Sequence, residues 1–175
     1  MSSSLNSATP RRAFLLALLS LPAWSLASGT PLDGLQRWGS GQYRRFGFLI
    51  YEASLWGGER AELLPPYALR LTYKRNIKGR QLAESSVDEM RRFNLADENL
   101  LKQWGERLLK LFPDVQPEDH ITGLHLPQGS RFYLNDQEIG RLDDPALSRA
   151  FFAIWLDART SAPDLRAALL RRTAG

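Results

Sequence analysis

The order in which two hydrophobic periods alternate along the chain restricts its fold more than any other feature. In Tyr67-Ala68-Leu69-Arg70-Leu71-Thr72-Tyr73-Lys74-Arg75 the apolar residues fall on every second position, as in a strand with one buried face. Tyr67, Leu69, Leu71 and Tyr73 share one side, and the same series, continued one step, ends on Arg75. From Lys78-Gly79 a helical period takes over. Leu82, Ser86, Glu89 and Met90 fall together on a helix of residues 79 to 93, with Arg80 and Ser85 beside them. A second helix is expected over 97 to 111, capped by Asp97 or Ala96, with Leu100, Leu101, Trp104, Leu108 and Leu111 as its stripe. Period two then returns over His120–Leu126, Arg131–Asn135 and Gln137–Leu142, with a turn at Asn135-Asp136 or Asp136-Gln137. Asp143 or Asp144 can cap a helix that opens on Pro145, and a short helix over Leu165–Arg171 closes the chain.

Before all of these, residues 42 to 56 read as one or two strands, with Phe46, Phe48 and Ile50 on one face and Arg45, Gly47, Leu49 and Tyr51 on the other. Strands, helices, strands and helices in blocks lack the alternation of a parallel sheet. The expectation is an α+β domain, an antiparallel sheet with a layer of helices on one face.

The first residues belong to a different grammar. Arg11 and Arg12 precede an apolar run from Ala13 to Trp24, and Ser25-Leu26-Ala27 follows with small residues at its outer positions. That is the layout of a secretory signal, of Sec or twin-arginine type, over residues 1 to 27. The run falls short of the roughly 20 apolar residues of a membrane span. A single domain, residues 28 to 175, is expected in the bacterial periplasm, with no membrane span once the leader is cleaved. Removing Arg11 and Arg12 leaves 21 of the 23 basic residues against 19 acidic ones, a net charge of +2 rather than +4. Without a basic block in the exported part, nucleic acid is not an expected partner.

Chemistry-bearing residues are sparse. The chain has no cysteine, hence no disulfide, thiolate metal site or cysteine nucleophile. Its histidines, His120 and His125, are an odd number of residues apart on one strand and point to opposite faces, so no metal or other cofactor is expected. There is no G-x-S-x-G elbow and no phosphate loop. What remains is a polar set beside an apolar surface: Tyr73, Arg75, Arg80, Ser85, Ser86 and Glu89. An arginine in such a place needs an anionic partner, either a side chain such as Glu89 or a ligand carboxylate or phenolate held by its planar fork.

Three stretches carry a further signal. They are Phe46-Gly47-Phe48-Leu49-Ile50-Tyr51-Glu52-Ala53-Ser54-Leu55-Trp56, then Leu71-Thr72-Tyr73-Lys74-Arg75 with Ile77-Lys78-Gly79 and Ser86-Val87-Asp88-Glu89-Met90, then Gly129-Ser130-Arg131-Phe132-Tyr133 continuing to Phe151-Phe152-Ala153-Ile154-Trp155-Leu156-Asp157. In that order they resemble the bacterial chalcone isomerase-like proteins from about Gly41 to Leu170. The resemblance implies an open-faced sandwich, in a superfamily that includes plant enzymes closing a chalcone to a flavanone, fatty-acid-binding relatives and members without known catalysis. It implies a cleft between sheet and helices. Matching Gly79 to the glycine before the plant helix puts the plant tyrosine at Leu82 and the plant asparagine at Glu89. Ser148 matches the family's threonine or serine, whereas Arg37, Arg44 and Arg45 do not match its catalytic arginine.

The leading expectation is therefore a non-catalytic binder of a small apolar or phenolic acid, such as a fatty acid. Its ligand-binding candidates are Leu71, Tyr73, Arg75, Leu82, Ser86, Glu89 and Ser148, with Tyr67, Leu69, Phe46, Phe48 and Met90 as further wall. Two alternatives stand beside it. One is an isomerase acting on a chalcone-like enone, with Arg75 and Ser148 as catalytic candidates, and the other is a structural or partner-binding envelope protein.

Overall fold

The strand read at Tyr67 becomes the third of six in one antiparallel sheet. The computed structural model describes residues 29–60 and 62–172, so the leader read at residues 1 to 27 lies outside the described residues. The strands are β1 (Gln36–Arg45), β2 (Phe48–Gly57), β3 (Tyr67–Tyr73), β4 (His120–Leu126), β5 (Gly129–Leu134) and β6 (Gln137–Leu142), and they lie side by side in chain order. Helices α1 (Gly79–Arg92) and α2 (Glu98–Leu111) leave after β3, cross one face and return the chain to β4, which pairs directly with β3. Helices α3 (Pro145–Leu156) and α4 (Pro163–Leu170) complete the layer on that face. The result is the expected α+β open-faced sandwich.

The buried face follows from the pleat. Leu69, Leu71 and Tyr73 of β3 turn toward the helices, while Arg70, Thr72 and Lys74 alternate to the other side. Phe132, Phe152, Leu108 and Leu147 are fully buried in the same core. Removing a phenylalanine of this kind from water contributes about 1.5–3 kcal/mol.

Local chemistry fixes the helix ends. Asp97 caps α2 by accepting from Leu100 N at 2.8 Å, and Asp144 caps α3 by accepting from Ala146 N and Leu147 N at 3.0 Å. Asp143 instead pairs with Arg141. The start of α1 is held from the far end of α2: Asp114 accepts from Gly79 N at 2.9 Å and Lys78 Nζ at 2.7 Å, which draws its carboxyl below the usual carboxylate range. Gly79 allows this approach, because a Cβ there would stand 2.1 Å from the Phe112 carbonyl oxygen.

Three departures from the sequence expectation bear on the site. First, β1 begins at Gln36 rather than Gln42. Its Arg-Trp-Gly-Ser-Gly opening hides the alternation, yet a side chain at Gly39 would meet the Ala168 carbonyl at 2.1 Å, so α4 needs glycine there. Second, within residues 42 to 56 a turn at Phe46-Gly47, both with positive φ (51° and 82°), interrupts the expected Phe46–Phe48–Ile50 face, and Arg45 pairs with Phe48 across it. Third, β3 stops at Tyr73 and the chain bends at Lys74-Arg75, so the two-residue series ends one step before Arg75.

Candidate functional site

A row of three tyrosines crosses the first three strands. The register sets Tyr43 opposite Tyr51 and Tyr51 opposite Tyr73. The first two rings stack at 4.9 Å, and the second pair meets edge to face at 6.1 Å. Just beyond, Arg44 pairs with Leu49, which leaves Ile50 as an extra residue on β2. This bulge turns the neighbours Ile50 and Tyr51 toward the same space, which simple alternation forbids. From α3, Trp155 donates its indole N–H to the Tyr51 hydroxyl at 3.0 Å.

Helix α1 passes over this row and presents Leu82, Ser86 and Glu89, one helical turn apart in sequence. Between helix and sheet lies a cavity of about 670 Å³. Its walls are apolar, with Leu69, Leu71, Ile77, Ile121, Phe132, Phe151 and Ile154 among them. The lining residues that reach solvent form the rim: Arg44, Arg45, Gln81, Ser85, Asp88, Arg92 and Ser161. Three of these are arginines and one is an aspartate, which Arg91 already engages at 2.7 Å.

Electrostatics divide the interior from the rim. Burial pushes the Tyr73 hydroxyl far above its ordinary pKa, with Tyr51 adding to the effect. Burial does the same to Tyr51, opposed by the Trp155 hydrogen bond and helped by Tyr43 and Glu89. Both phenols therefore stay protonated and able to donate. Glu89 Oε1 accepts from the Ser161 hydroxyl at 2.9 Å and stands 3.6 Å from Arg92 Nη1. Its Oε2 is buried with no hydrogen-bond partner among the described residues. A buried acceptor of this kind is costly unless something donates to it.

Of the residues singled out in the sequence, Leu71, Tyr73, Leu82, Ser86 and Glu89 line this one cavity, with Leu69 and Ser85. The Ser86 hydroxyl is engaged, donating to the Leu82 carbonyl at 2.8 Å. Others are corrected by the structure. Arg75 is exposed outside the cavity, its guanidinium 4.6 Å over the Phe48 ring and its Nε donating to the Leu49 carbonyl at 3.3 Å. Ser148 is fully buried away from the cavity, with its Oγ 2.9 Å from that of Ser130, because α3 presses that turn onto β5. Phe46 and Phe48 are 87% and 57% exposed at the β1–β2 turn and wall nothing. Arg80 stands at the surface beside Glu84, Met90 is buried without lining the cavity, and Tyr67 packs against His125 and Phe152.

Sequence reasoning missed Tyr43, Tyr51, Trp155 and Arg92 as cavity residues, and named Arg44 and Arg45 only as arginines without a family match. The tyrosine row was findable by pairing residues 42 to 56 as a hairpin and aligning it on β3. The histidines do lie on opposite sides: His125 faces Phe152, and His120 lies 3.4 Å from Asp136. Among the described residues no group of three or more His, Cys, Asp or Glu side chains could hold a metal ion. No helix of the described residues is long and apolar enough to cross a membrane.

Comparison with known proteins agrees with the fold. Residues 31–171 match the family described as chalcone isomerase-like. An uncharacterized protein of Haemophilus influenzae is 28% identical over 148 residues, covering 83% of this chain and 73% of its own length. Among solved structures, an Arabidopsis thaliana fatty-acid binding protein superposes with a TM-score of 0.59 at 12% identity, covering 79% of this chain and 87% of that one. At that identity the likeness is one of fold.

Proposed function

We propose, from the premise that this chain belongs to the chalcone isomerase-like family, that it is a binding protein for a small apolar acid, held tail-inward in the cavity under α1. The observation that carries this reading is the pairing of an apolar cavity of about 670 Å³ with a rim bearing Arg44, Arg45 and Arg92. The volume lies within the roughly 300–1,000 Å³ of small-molecule sites. The rim guanidiniums suit a carboxylate at the mouth, where the charge keeps contact with water and avoids burial. Glu89 Oε2 disfavours an anion seated deeper and favours a ligand that also offers a donor, as a phenolic or hydroxylated acid does. The Arabidopsis protein of the same fold is a fatty-acid binding protein, which supports the same ligand class here.

The isomerase reading needs a cation and a positioned donor meeting at one enone. Arg75 lies outside the cavity, Ser148 is sealed against Ser130, and Leu82 has no hydroxyl, so these three do not assemble such a centre. Export through the leader at residues 1 to 27 would put the binder in the periplasm.

Native mass spectrometry of protein purified from bacteria without denaturation tests the proposal. The expected result is a co-purified acid, together with a raised Tm on adding fatty or phenolic acids to stripped protein. Replacing Arg44, Arg45 and Arg92 by Gln should weaken binding by about tenfold or more. No bound acid and no thermal shift with either class would sink it.

A further inference from the structure

At the β1–β2 turn the chain spends stability on something the fold does not use. A two-residue hairpin with positive φ at both positions favours Asn-Gly, yet Phe46 occupies the first position at φ 51°. A bulky side chain in that region is an outlier, since its Cβ crowds the backbone. Burial does not compensate, because Phe46 is 87% exposed and its neighbour Phe48 57% exposed. Around the two rings stand three arginines. Arg45 lies 5.4 Å over Phe46 and Arg75 4.6 Å over Phe48, while Arg44 reaches the Gly47 carbonyl at 3.3 Å. None of the three is in an ion pair among the described residues; their contacts are rings, carbonyls and Gln42. No acid occurs in the sequence from Tyr43 to Tyr51 or from Tyr73 to Arg80. Lys74 and Lys78, also on the second stretch, are already paired with Glu118 and Asp114.

We propose that this tip docks the protein on an anionic lipid bilayer surface, with Phe46 and Phe48 entering the headgroup–acyl boundary and Arg44, Arg45 and Arg75 facing lipid phosphates. Exposed rings flanked by unpaired guanidiniums match what such an interface offers, apolar depth beneath a negative layer. A soluble acidic partner would use the arginines but leave the strained, exposed Phe46 without a role. Continuity with the cavity adds the functional link, because Arg44 and Arg45 belong to both the tip and the rim. A docked tip therefore brings the mouth to the bilayer, the source or destination of an apolar ligand. The docking itself does not depend on the identity of that ligand.

Co-sedimentation of the exported, leader-free protein with vesicles tests this. Vesicles of phosphatidylcholine alone are compared with vesicles that also contain phosphatidylglycerol. Wild type should sediment with the anionic vesicles and be released by added salt. Phe46→Asn suits the turn and should fold at least as well, with a Tm equal to or above wild type. It should nevertheless lose about tenfold or more of the vesicle affinity while keeping ligand affinity in the cavity. Arg75→Glu, outside the cavity, should erase most of the preference for anionic lipid. Equal sedimentation of wild type and Phe46→Asn overturns the proposal. So does a wild type that ignores both vesicles, or one whose tip instead pairs two copies into a dimer that Phe46→Asn dissolves.

Discussion

Two parts of the same core differ in what their side chains face. Where α3 presses on the sheet, Phe152 packs edge to face on Tyr67 at 5.4 Å and beside His125 at 4.9 Å, and the hydroxyls of Ser130 and Ser148 close on each other at 2.9 Å. Where α1 crosses β1 to β3, Tyr43, Tyr51, Tyr73 and Glu89 line the cavity, and Glu89 Oε2 has no hydrogen-bond partner among the described residues. On the α3 side the two serine hydroxyls meet each other, although His125 Nδ1 has no hydrogen-bond partner among the described residues. A half-buried acceptor left unmet beside a cavity is stable only at a cost, and a ligand with a donor can offset it. The difference separates residues packed against one another from residues that line the cavity.

The largest test contrasts truncation on the two sides. Phe152→Ala removes a fully buried ring from the tight side and should cost about 3–5 kcal/mol in urea denaturation. Leu82→Ala opens onto space that already exists and should cost only about 1 kcal/mol, while measurably weakening binding of an apolar acid. Equal losses of stability would mean that the cavity side is packed as firmly as the other, and the comparison would fail.

A smaller effect separates the serine pair from the site. Ser148→Ala strands the Ser130 hydroxyl in a dry interior and should cost about 1–3 kcal/mol. Adding Ser130→Ala removes the stranded group, so the double variant should lose less than the sum of the two single losses. Neither change should alter ligand affinity. A drop in affinity with Ser148→Ala would return that residue to the binding site, where the family resemblance first put it.

How much of this was legible depends on range. Periodicity marked α1 and α2 to within a residue or two, because Leu82, Ser86 and the Leu101–Trp104–Leu108 stripe are local patterns. The two-residue alternation of β3 was legible for the same reason. Three nonlocal facts were not. Gly39 and Gly41 look like loop residues until α4 lies over them. Phe46-Gly47 does not read as a tight turn, because phenylalanine is a poor residue for one. The extra residue Ile50 shifts the phase, so the core face passes from the Phe46–Phe48–Ile50 series to Tyr51, Ala53 and Leu55. Arg75 was misjudged by one step of alternation, since nothing in the sequence says that β3 ends at Tyr73. Arg75 therefore stands on the outer tip, while Arg44, Arg45 and Arg92 stand at the rim of the cavity.

The last and smallest effect is a titration on the tight side. His125 is buried against Tyr67 and Phe152, with ring centroids 4.9 Å away in both cases. Burial, with a smaller contribution from the Arg149 charge, lowers its pKa below the ordinary 6.5. Its Nδ1 is buried without a hydrogen-bond partner among the described residues, so nothing there rewards protonation. Below pH 6.5 the unfolded chain takes up a proton more readily than the folded one, and by linkage stability falls as the pH drops through that range. Above it both states hold a neutral imidazole, and this residue contributes no slope. Urea midpoints measured across pH 5 to 8 should therefore decline on the acid side. His125→Phe, which keeps an aromatic ring among aromatic neighbours, should flatten that part of the profile. An unchanged slope in His125→Phe would assign the acid sensitivity to other groups.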